Sequence, residues 1–235
     1  IPEEVVVNEK TDEATVRDFL ALLDREQVRV SGCNAGSADL RTDEGRELIA
    51  ERIRFSKQWF DASLVISGAG QPTDDQERRT VLENLGKLGE LAGALGITMA
   101  LETHKGPTQN ARAMLELMKD LDHPSVRLNF DTGNILYYNE GADVVAELEQ
   151  VAPMVRNVHL KDSRGRFEDW YFPALGAGGA VDFARIRHVL DAVGFSGPYT
   201  IELEGIAGEP EPGLEERHRR IKTSVDHLRS CGYFE

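Results

Sequence analysis

Four side chains that can bind a metal ion each stand at or near the end of a short β-like run. They are Glu102, Asp131, His159 and Glu202, in the segments ALETH, LNFDTGN, VHLKD and TIELEG. Three carboxylates that met at one point would repel each other strongly unless a cation lay between them. One imidazole with three carboxylates is a hard, oxygen-rich ligand set that suits Mn²⁺ or Mg²⁺, with Co²⁺ or Zn²⁺ as substitutes. These residues therefore predict one divalent-metal site.

Such a site is suited to removing a proton from a carbon atom next to a carbonyl group. A divalent ion polarises the carbonyl oxygen and stabilises the enediolate that forms. One carboxylate can act as the base and a second can return the proton. Glu102 and Glu202 are the candidates for this pair, and the alternative is that both are ligands only. His104 follows Glu102 by two residues and is a candidate either for proton transfer or for a hydrogen bond to a ligand.

The elements that carry these residues recur at the spacing of βα units. Most β-like runs start roughly 30–35 residues apart, and a βα unit takes about 30 residues. The clear runs are Val28–Ser31, Ala62–Ser67, Ile97–Glu102, Val126–Asp131, Val155–Leu160 and Tyr199–Leu203, with a weaker one at Glu4–Val7. Capping residues and apolar periodicity predict helices between them. These helices are Asp74–Leu95, Gln109–Leu121 after a Thr108 cap, Phe183–Val193 after an Asp182 cap, and Leu214–Ser230.

Side-chain alternation distinguishes a closed barrel from an open sheet. In the last four clear runs one face is apolar and the other is polar. An open doubly wound sheet has helices on both faces and should be apolar on both, whereas a barrel has helices outside only. We therefore predict an α/β fold, a (β/α)8 TIM barrel, with residues 1–235 as a single domain. Seven runs are countable where a barrel needs eight, so we expect one βα unit before Ile1.

The segments LETH, FDTGN, VHLKD and IELEG, in this order, resemble the xylose isomerase-like TIM-barrel superfamily. This family contains sugar and sugar-phosphate isomerases and epimerases, inosose and dehydroshikimate dehydratases, and apurinic endonucleases. The resemblance covers about residues 28–230. It implies a divalent-metal site and, in the epimerase branch, two glutamates that move a proton on opposite faces of the sugar. Carried onto this chain, the ligands are Glu102, Asp131, His159 and Glu202.

One position departs from the family pattern. Many members carry Asp-x-x-His where this chain has Asp131-Thr132-Gly133-Asn134. Asn134 can hydrogen-bond a substrate hydroxyl, but it cannot carry a proton near neutral pH. The leading prediction is a metal-dependent isomerase or epimerase of a keto-sugar or related polyol. The alternative is a lyase or dehydratase on a keto-sugar, a keto-inositol or a 3-keto-glycoside, which begins with the same proton abstraction.

The loop from Asp162 to Ala180 is a candidate for substrate binding. Long loops at barrel mouths commonly bind or cover a substrate, and aromatic side chains with Arg and Asp suit a sugar. The alternative is that the aromatic residues pack the loop onto the barrel. Lys161 shares a strand face with His159 and could hold a hydroxyl or a phosphate, or pair with Asp162. The predicted substrate-binding residues are Asn134, Lys161, Asp162, Arg164, Arg166 and Trp170.

The composition and net charge limit the kinds of molecule that this chain is expected to bind. The 235 residues include 41 acidic and 27 basic side chains, a formal charge of −14. Such a charge disfavours nucleic acid and anionic membranes, and no apolar run approaches the roughly 18 residues of a transmembrane helix. Cys33 and Cys231 make no disulfide framework, which fits a reducing cytoplasm. We expect a cytoplasmic enzyme with a small sugar-like substrate, and the sequence leaves open a homo-oligomer.

Overall fold

The computed structural model describes residues 7–234, which form two compact units. Unit 1 contains the chain up to Met99 together with His123–Val126, and unit 2 contains Ala100–Asp122 and the chain from Arg127 onward. The weak run Glu4–Val7 lies almost wholly outside the described residues. The single domain expected from the sequence stays a prediction.

Short strands alternate with helices along the chain. The strands are β1 (Cys33–Gly36), β2 (Leu64–Ser67), β3 (Thr98–Glu102), β4 (Val126–Asp131), β5 (Val155–Leu160), β6 (Tyr171–Phe172), β7 (Tyr199–Ile201) and β8 (Gly205–Ile206). The helices are α1 (Glu13–Arg25), α2 (Asp43–Phe60), α3 (Asp75–Ala94), α4 (Ala111–Leu121), α5 (Thr132–Tyr138), α6 (Val144–Val151), α7 (Phe183–Ala192) and α8 (Leu214–Ser230). A 3₁₀ turn, Ala152–Met154, precedes β5.

In unit 1, β1 and β2 pair in parallel, with Cys33 opposite Val65. Helix α2 begins where Thr42 Oγ1 accepts a hydrogen bond from Gly45 N–H, and α3 begins at the Asp74 cap. The two helices bury their apolar sides, including Ile49, Ile53, Val81, Leu85 and Leu88. Each such side chain contributes about 1.5–3 kcal/mol of stability through burial. Helix packing therefore stabilises this unit.

In unit 2, the strand order is β3-β4-β5-β7, and β4–β5 and β5–β7 are parallel pairs. The apolar face of these strands packs on the helices of the unit. Leu128, Phe130, Val158 and Leu160 are completely buried there. They share a core with helical residues such as Met114, Leu148, Ile186, Leu190 and Leu228.

The opposite face of the same strands is polar and also buried. Asn129 of β4 lies opposite Asn157 of β5, and Asn157 Nδ2 donates a hydrogen bond of 2.8 Å to Asn129 Oδ1. This bond satisfies one polar atom of each amide, whereas Asn129 Nδ2 and Asn157 Oδ1 are buried without a hydrogen-bond partner among the described residues. The apolar and polar faces predicted from the sequence are therefore confirmed for β4 and β5.

Two predicted elements were wrong in position. The run Val28–Ser31 is not a strand; β1 starts at Cys33, and Val28 is 55 % exposed. Local β-propensity favoured the valines, but pairing with β2 selects the following residues. Helix α4 starts at Ala111 and is capped by Asn110, whose Oδ1 accepts from Ala113 N–H. Thr108 donates instead to the carbonyl of Glu102 at 2.5 Å and so fixes the turn after β3.

The remaining predicted elements match closely. Strands β4 and β5 and helix α8 have the predicted bounds, and Asp182 caps α7 through Arg185 N–H. Both cysteines are free thiols. Between residues 7 and 234, no helix has the length and apolar character that a bilayer crossing requires.

Candidate metal centre

The carboxyl ends of neighbouring strands bring the four predicted ligands together. Asp131, the last residue of β4, lies opposite His159 of β5, and His159 lies opposite Thr200 of β7. Glu102 ends β3, and Glu202 follows β7. One ligand atom from each of Glu102, Asp131, His159 and Glu202 falls within 4.8 Å of all the others.

His159 is at the centre of this cluster. Its Nδ1 atom lies 2.9 Å from Glu102 Oε1, 3.1 Å from Glu202 Oε2 and 3.8 Å from Asp131 Oδ2. The imidazole is 5 % exposed, and Asp131 is completely buried. Buried charges in proteins are paired or bind metal ions, so this packing of acids around one imidazole needs cationic compensation.

The carboxylate oxygens that face His159 fit a hard divalent ion. Asp131 Oδ1 caps α5 by accepting from Gly133 N–H at 2.9 Å and Asn134 N–H at 2.8 Å, which leaves Oδ2 for another partner. Within the described part of the chain, Asp131 Oδ2 and Glu202 Oε2 are buried and receive no hydrogen bond of good geometry. Carboxylate oxygens with one imidazole nitrogen suit Mg²⁺ or Mn²⁺. The residues present therefore fit such an ion.

Lys161 adds a buried cation to the cluster. Its side chain is 1 % exposed, and its Nζ atom lies 2.9 Å from Glu202 Oε2, 3.0 Å from Glu204 Oε2 and 3.1 Å from Asp131 Oδ2. The same atom donates to Asn134 Oδ1 at 3.2 Å. The alternative in which Lys161 pairs with Asp162 is wrong, because the ammonium group faces the metal cluster and the Asp162 carboxylate accepts backbone N–H groups of its own loop.

All four residues of the Asp-Thr-Gly-Asn segment contact Lys161. Asp131 and Asn134 meet its ammonium group. Thr132 Oγ1 accepts from Lys161 N–H at 3.0 Å and donates to its carbonyl at 2.7 Å. Gly133 leaves room for the aliphatic stem: a Cβ atom there would lie 2.5 Å from Lys161 Cγ. This segment thus both supplies a ligand and shapes the space around Lys161.

We expect Gly133→Ala to destabilise the protein, because a methyl group would push against the buried stem of Lys161. Overpacking of this kind typically costs about 1–3 kcal/mol. The control is Gly86→Ala in α3, where an added Cβ meets nothing within 4 Å. That change should raise stability by up to about 1 kcal/mol. Urea unfolding of both variants measures the contrast, and equal effects would contradict the packing argument.

Electrostatics in the cluster favour its charged forms. Burial alone would raise the pKa of Asp131, but the nearby Lys161 and His159 outweigh burial and lower it. Burial alone would lower the pKa of His159, but the nearby carboxylates of Asp131, Glu102 and Glu202 raise it to about 11. The pKa of Lys161 is likewise raised, because its carboxylate neighbours outweigh burial.

Metal binding should release one proton from His159. In the metal-free protein the raised pKa keeps this imidazole protonated at neutral pH, whereas a ligating imidazole must be neutral. The apparent Mn²⁺ affinity should therefore rise with pH, by up to about tenfold per pH unit. Calorimetric titration at pH 7 in two buffers of different ionisation enthalpy counts the proton. Equal heats in both buffers would contradict ligation by His159.

The predicted loop residues lie at different places in unit 2. Asp162 is buried, and its carboxylate accepts from the backbone N–H groups of Ser163 and Gly176, so it holds the loop together. Arg164 pairs with Asp169 at the surface, and Arg166 is exposed. Trp170 is 42 % exposed and packs edge-to-face on Phe172, whose ring centroid is 5.1 Å from Lys161 Nζ.

His104 points to an aromatic neighbour. Its Nε2 atom lies 2.9 Å from the Tyr138 hydroxyl, and the two ring centroids are 4.9 Å apart. Burial, with Tyr137 next to it, raises the pKa of Tyr138 to about 12, so this phenol stays neutral. A role for His104 in proton transfer stays a prediction.

Sequence reasoning missed Glu204 and Phe172 as neighbours of the site. Glu204 could have been found, because it follows Glu202 by two residues and alternation places both on one strand face. Phe172 could not, because its strand has only two residues. That strand, β6, is set by antiparallel pairing with β8, where Phe172 lies opposite Gly205.

Comparisons with known proteins agree with this architecture. An inosose dehydratase of Geobacillus thermodenitrificans is 30 % identical over 161 residues, which is 61 % of this chain and 53 % of that protein. This chain thus spans about half the length of that curated relative.

Solved structures show the same fold at lower identity. A xylose isomerase-like TIM barrel protein from Mycobacterium smegmatis, in complex with magnesium, superposes with a TM-score of 0.67 at 20 % identity, covering 94 % of this chain and 81 % of that one. A D-allulose 3-epimerase from Methylomonas sp. gives 0.74 at 17 % identity, covering 92 % and 82 %. The predicted TIM-barrel fold is confirmed: residues 4–231 match the family described as xylose isomerase-like TIM barrel, and the chain belongs to that family.

Proposed function

We propose that this chain is a divalent-metal-dependent dehydratase of a keto-sugar or keto-polyol. The observation that supports it most directly is the cluster of Glu102, Asp131, His159 and Glu202, with ligand atoms within 4.8 Å of one another. An ion held by these residues would supply positive charge beside a substrate carbonyl, which acidifies the adjacent C–H bond. The related dehydratase acts on an inosose, a cyclic polyol ketone, and this suggests the substrate class.

In this proposal Glu102 carries out both proton transfers of the dehydration. Glu102 takes the proton from the carbon next to the carbonyl, and the electron pair forms a C=C bond as the neighbouring C–O bond breaks. The proton then leaves with the departing hydroxyl group as water, so one carboxylate serves both transfers. Lys161 and Asn134 lie beside the cluster, where Lys161 Nζ donates to Asn134 Oδ1 and Asn134 Nδ2 donates to the carbonyl of Thr103. Contact of either side chain with a substrate hydroxyl stays a prediction.

The two glutamates have different surroundings, which favours a single base. Glu202 Oε2 lies 2.9 Å from the ammonium group of Lys161, so one of its oxygens already has a buried cationic partner. Glu102 Oε1 contacts His159 at 2.9 Å, and that imidazole becomes neutral when it binds the ion. An elimination needs one base, whereas a two-faced epimerisation needs two groups that can each carry a proton.

Epimerisation or isomerisation is the second candidate. Glu102 and Glu202 both reach His159 Nδ1, at 2.9 and 3.1 Å. Two carboxylates that line one cluster could remove and return a proton on different sides of a ring. Both candidates begin with the same proton abstraction. They differ in whether the deprotonated substrate takes a proton back or expels a hydroxyl group.

The test is incubation of the Mn²⁺-loaded protein with ketoses and keto-inositols in deuterium oxide. A dehydratase releases water and gives an unsaturated ketone that absorbs in the ultraviolet. Deuterium in a rearranged ketose, with no loss of water, would instead support the epimerase. The matched control is Glu215→Gln, at an exposed position of α8, which should behave as the wild type. No conversion of any substrate would overturn both candidates.

We expect Trp170→Ala to weaken substrate binding more than folding. Trp170 is 42 % exposed and lies on Phe172, which in turn lies near Lys161. An exposed aromatic face near a polar site suits stacking on a sugar ring. KM should rise about tenfold or more, whereas the melting temperature should change little. Phe172→Ala is the contrasting control: this ring is buried, and its loss should cost about 3–5 kcal/mol. An unchanged KM in Trp170→Ala would favour a packing role.

A further inference from the structure

We propose that Lys161 is the internal counter-cation of the metal centre: it neutralises the carboxylates in the metal-free protein and weakens metal binding by competing for their oxygens. This inference rests on the metal centre of the proposed function, but not on the reaction or its substrate. Lys161 would thus be a positioning residue that sets the affinity of the site.

Lys161 and the metal ion would compete for the same two carboxylate oxygens. The atoms of Asp131 and Glu202 that lie nearest His159 are Oδ2 and Oε2, and both also lie within 3.1 Å of Lys161 Nζ. A divalent ion between these acids and His159 would draw on the same lone pairs. An ammonium group and a divalent ion that share ligands repel each other, and burial strengthens that repulsion. Lys161 therefore opposes the ion.

Burial shows that the ammonium group is held in place. An unpaired buried charge is very costly, and breaking a buried ion pair by removing one partner is strongly destabilising. Lys161 avoids this cost through Asp131, Glu202, Glu204 and Asn134. The Asp-Thr-Gly-Asn segment around its stem and backbone also fixes the side chain.

Glu204 gives the ammonium group a partner outside the predicted ligand set. Its Oε2 atom lies 3.0 Å from Lys161 Nζ, and its side chain is 35 % exposed. If an ion takes Asp131 and Glu202, Lys161 keeps Glu204 and so remains a paired cation. Without Glu204, the ammonium group would depend more on the ligand oxygens and compete harder with the ion.

The experiment compares Lys161→Met with Lys222→Met, a control in which an exposed lysine of α8 loses its pairing with Asp226. Mn²⁺ affinity is measured by calorimetry, and stability is measured in chelator by thermal unfolding. Lys161→Met should bind Mn²⁺ at least about tenfold more tightly than the wild type, because a competing cation is gone. Without metal it should melt more than about 5 °C lower, and the control should change neither quantity.

A second variant, Glu204→Gln, tests the contact between Glu204 and Lys161 by the same measurement of Mn²⁺ affinity. It should weaken Mn²⁺ binding severalfold in the wild-type background and have a much smaller effect in Lys161→Met, because the two residues act through one contact. An equal effect in both backgrounds would overturn the role of Glu204 as an anchor. If Lys161→Met is unfolded in chelator, Mn²⁺ should restore its circular dichroism spectrum, and failure to do so would count against the proposal.

Weaker or unchanged Mn²⁺ binding by folded Lys161→Met would overturn the proposal. Uptake of Mn²⁺ by neither protein would overturn the proposal together with the metal centre. Metal binding with the expected contrast but no turnover of any keto-polyol would overturn only the proposed function, so the two failures are distinguishable.

Discussion

Glu102→Gln should lower kcat by a factor of about 10²–10⁴ when metal is saturating, because it removes the proposed base. Glutamine has nearly the same size as glutamate and keeps one oxygen that can bind the metal. Glu202→Gln should keep substantial turnover in a dehydratase, since Glu202 lies beside Lys161 and one base suffices. The measurement is single-turnover kinetics at saturating Mn²⁺, with metal content checked for each variant. The control is Glu215→Gln.

Proton exchange separates the two candidate reactions. Exchange of the substrate proton with solvent should be lost in Glu102→Gln and retained in Glu202→Gln if one base operates. In an epimerase, each variant should lose epimerisation and keep exchange from the opposite face. Near-normal rates in both variants would show that the glutamates do not carry the proton. His104, next to Tyr138, would then be the first residue to test.

Asp131→Asn should abolish Mn²⁺ binding at micromolar concentrations and destabilise the metal-free protein. Asparagine can still accept the N–H groups of Gly133 and Asn134 through Oδ1, so the cap on α5 survives. The second oxygen becomes an NH₂ donor that faces the ammonium group of Lys161. Loss of one partner of a buried ion pair typically costs about 3–5 kcal/mol.

Asp182→Asn is the matched control, because Asp182 caps α7 at a position away from the cluster. Asparagine and aspartate are nearly equivalent caps, so this variant should keep its stability and its metal. Elemental analysis after Mn²⁺ loading and urea unfolding in chelator measure both properties. Metal retention by Asp131→Asn at the wild-type level would remove Asp131 from the predicted ligand set.

The sequence by itself determined the strands and the candidate ligands. The apolar and polar residues of β4 alternate throughout, and those of β5 alternate from Asn157 onward, so both strands lie within their predicted bounds. Parallel pairing then places Asp131 beside His159, because strand ends at one edge of a sheet are neighbours. Local pattern and spacing suffice to predict the strands, because each strand depends on residues that are close in the chain.

The partners of Lys161 were decided by the tertiary structure. Sequence alone offered Asp162, the adjacent residue, whereas the ammonium group meets Asp131, Glu202 and Glu204. Lys161 and Asp162 directly follow β5, and adjacent side chains of an extended chain point to opposite sides. Asp162 instead accepts N–H groups of its own loop. A buried charge finds its partners across strands, and only the folded chain shows which carboxylates are within reach.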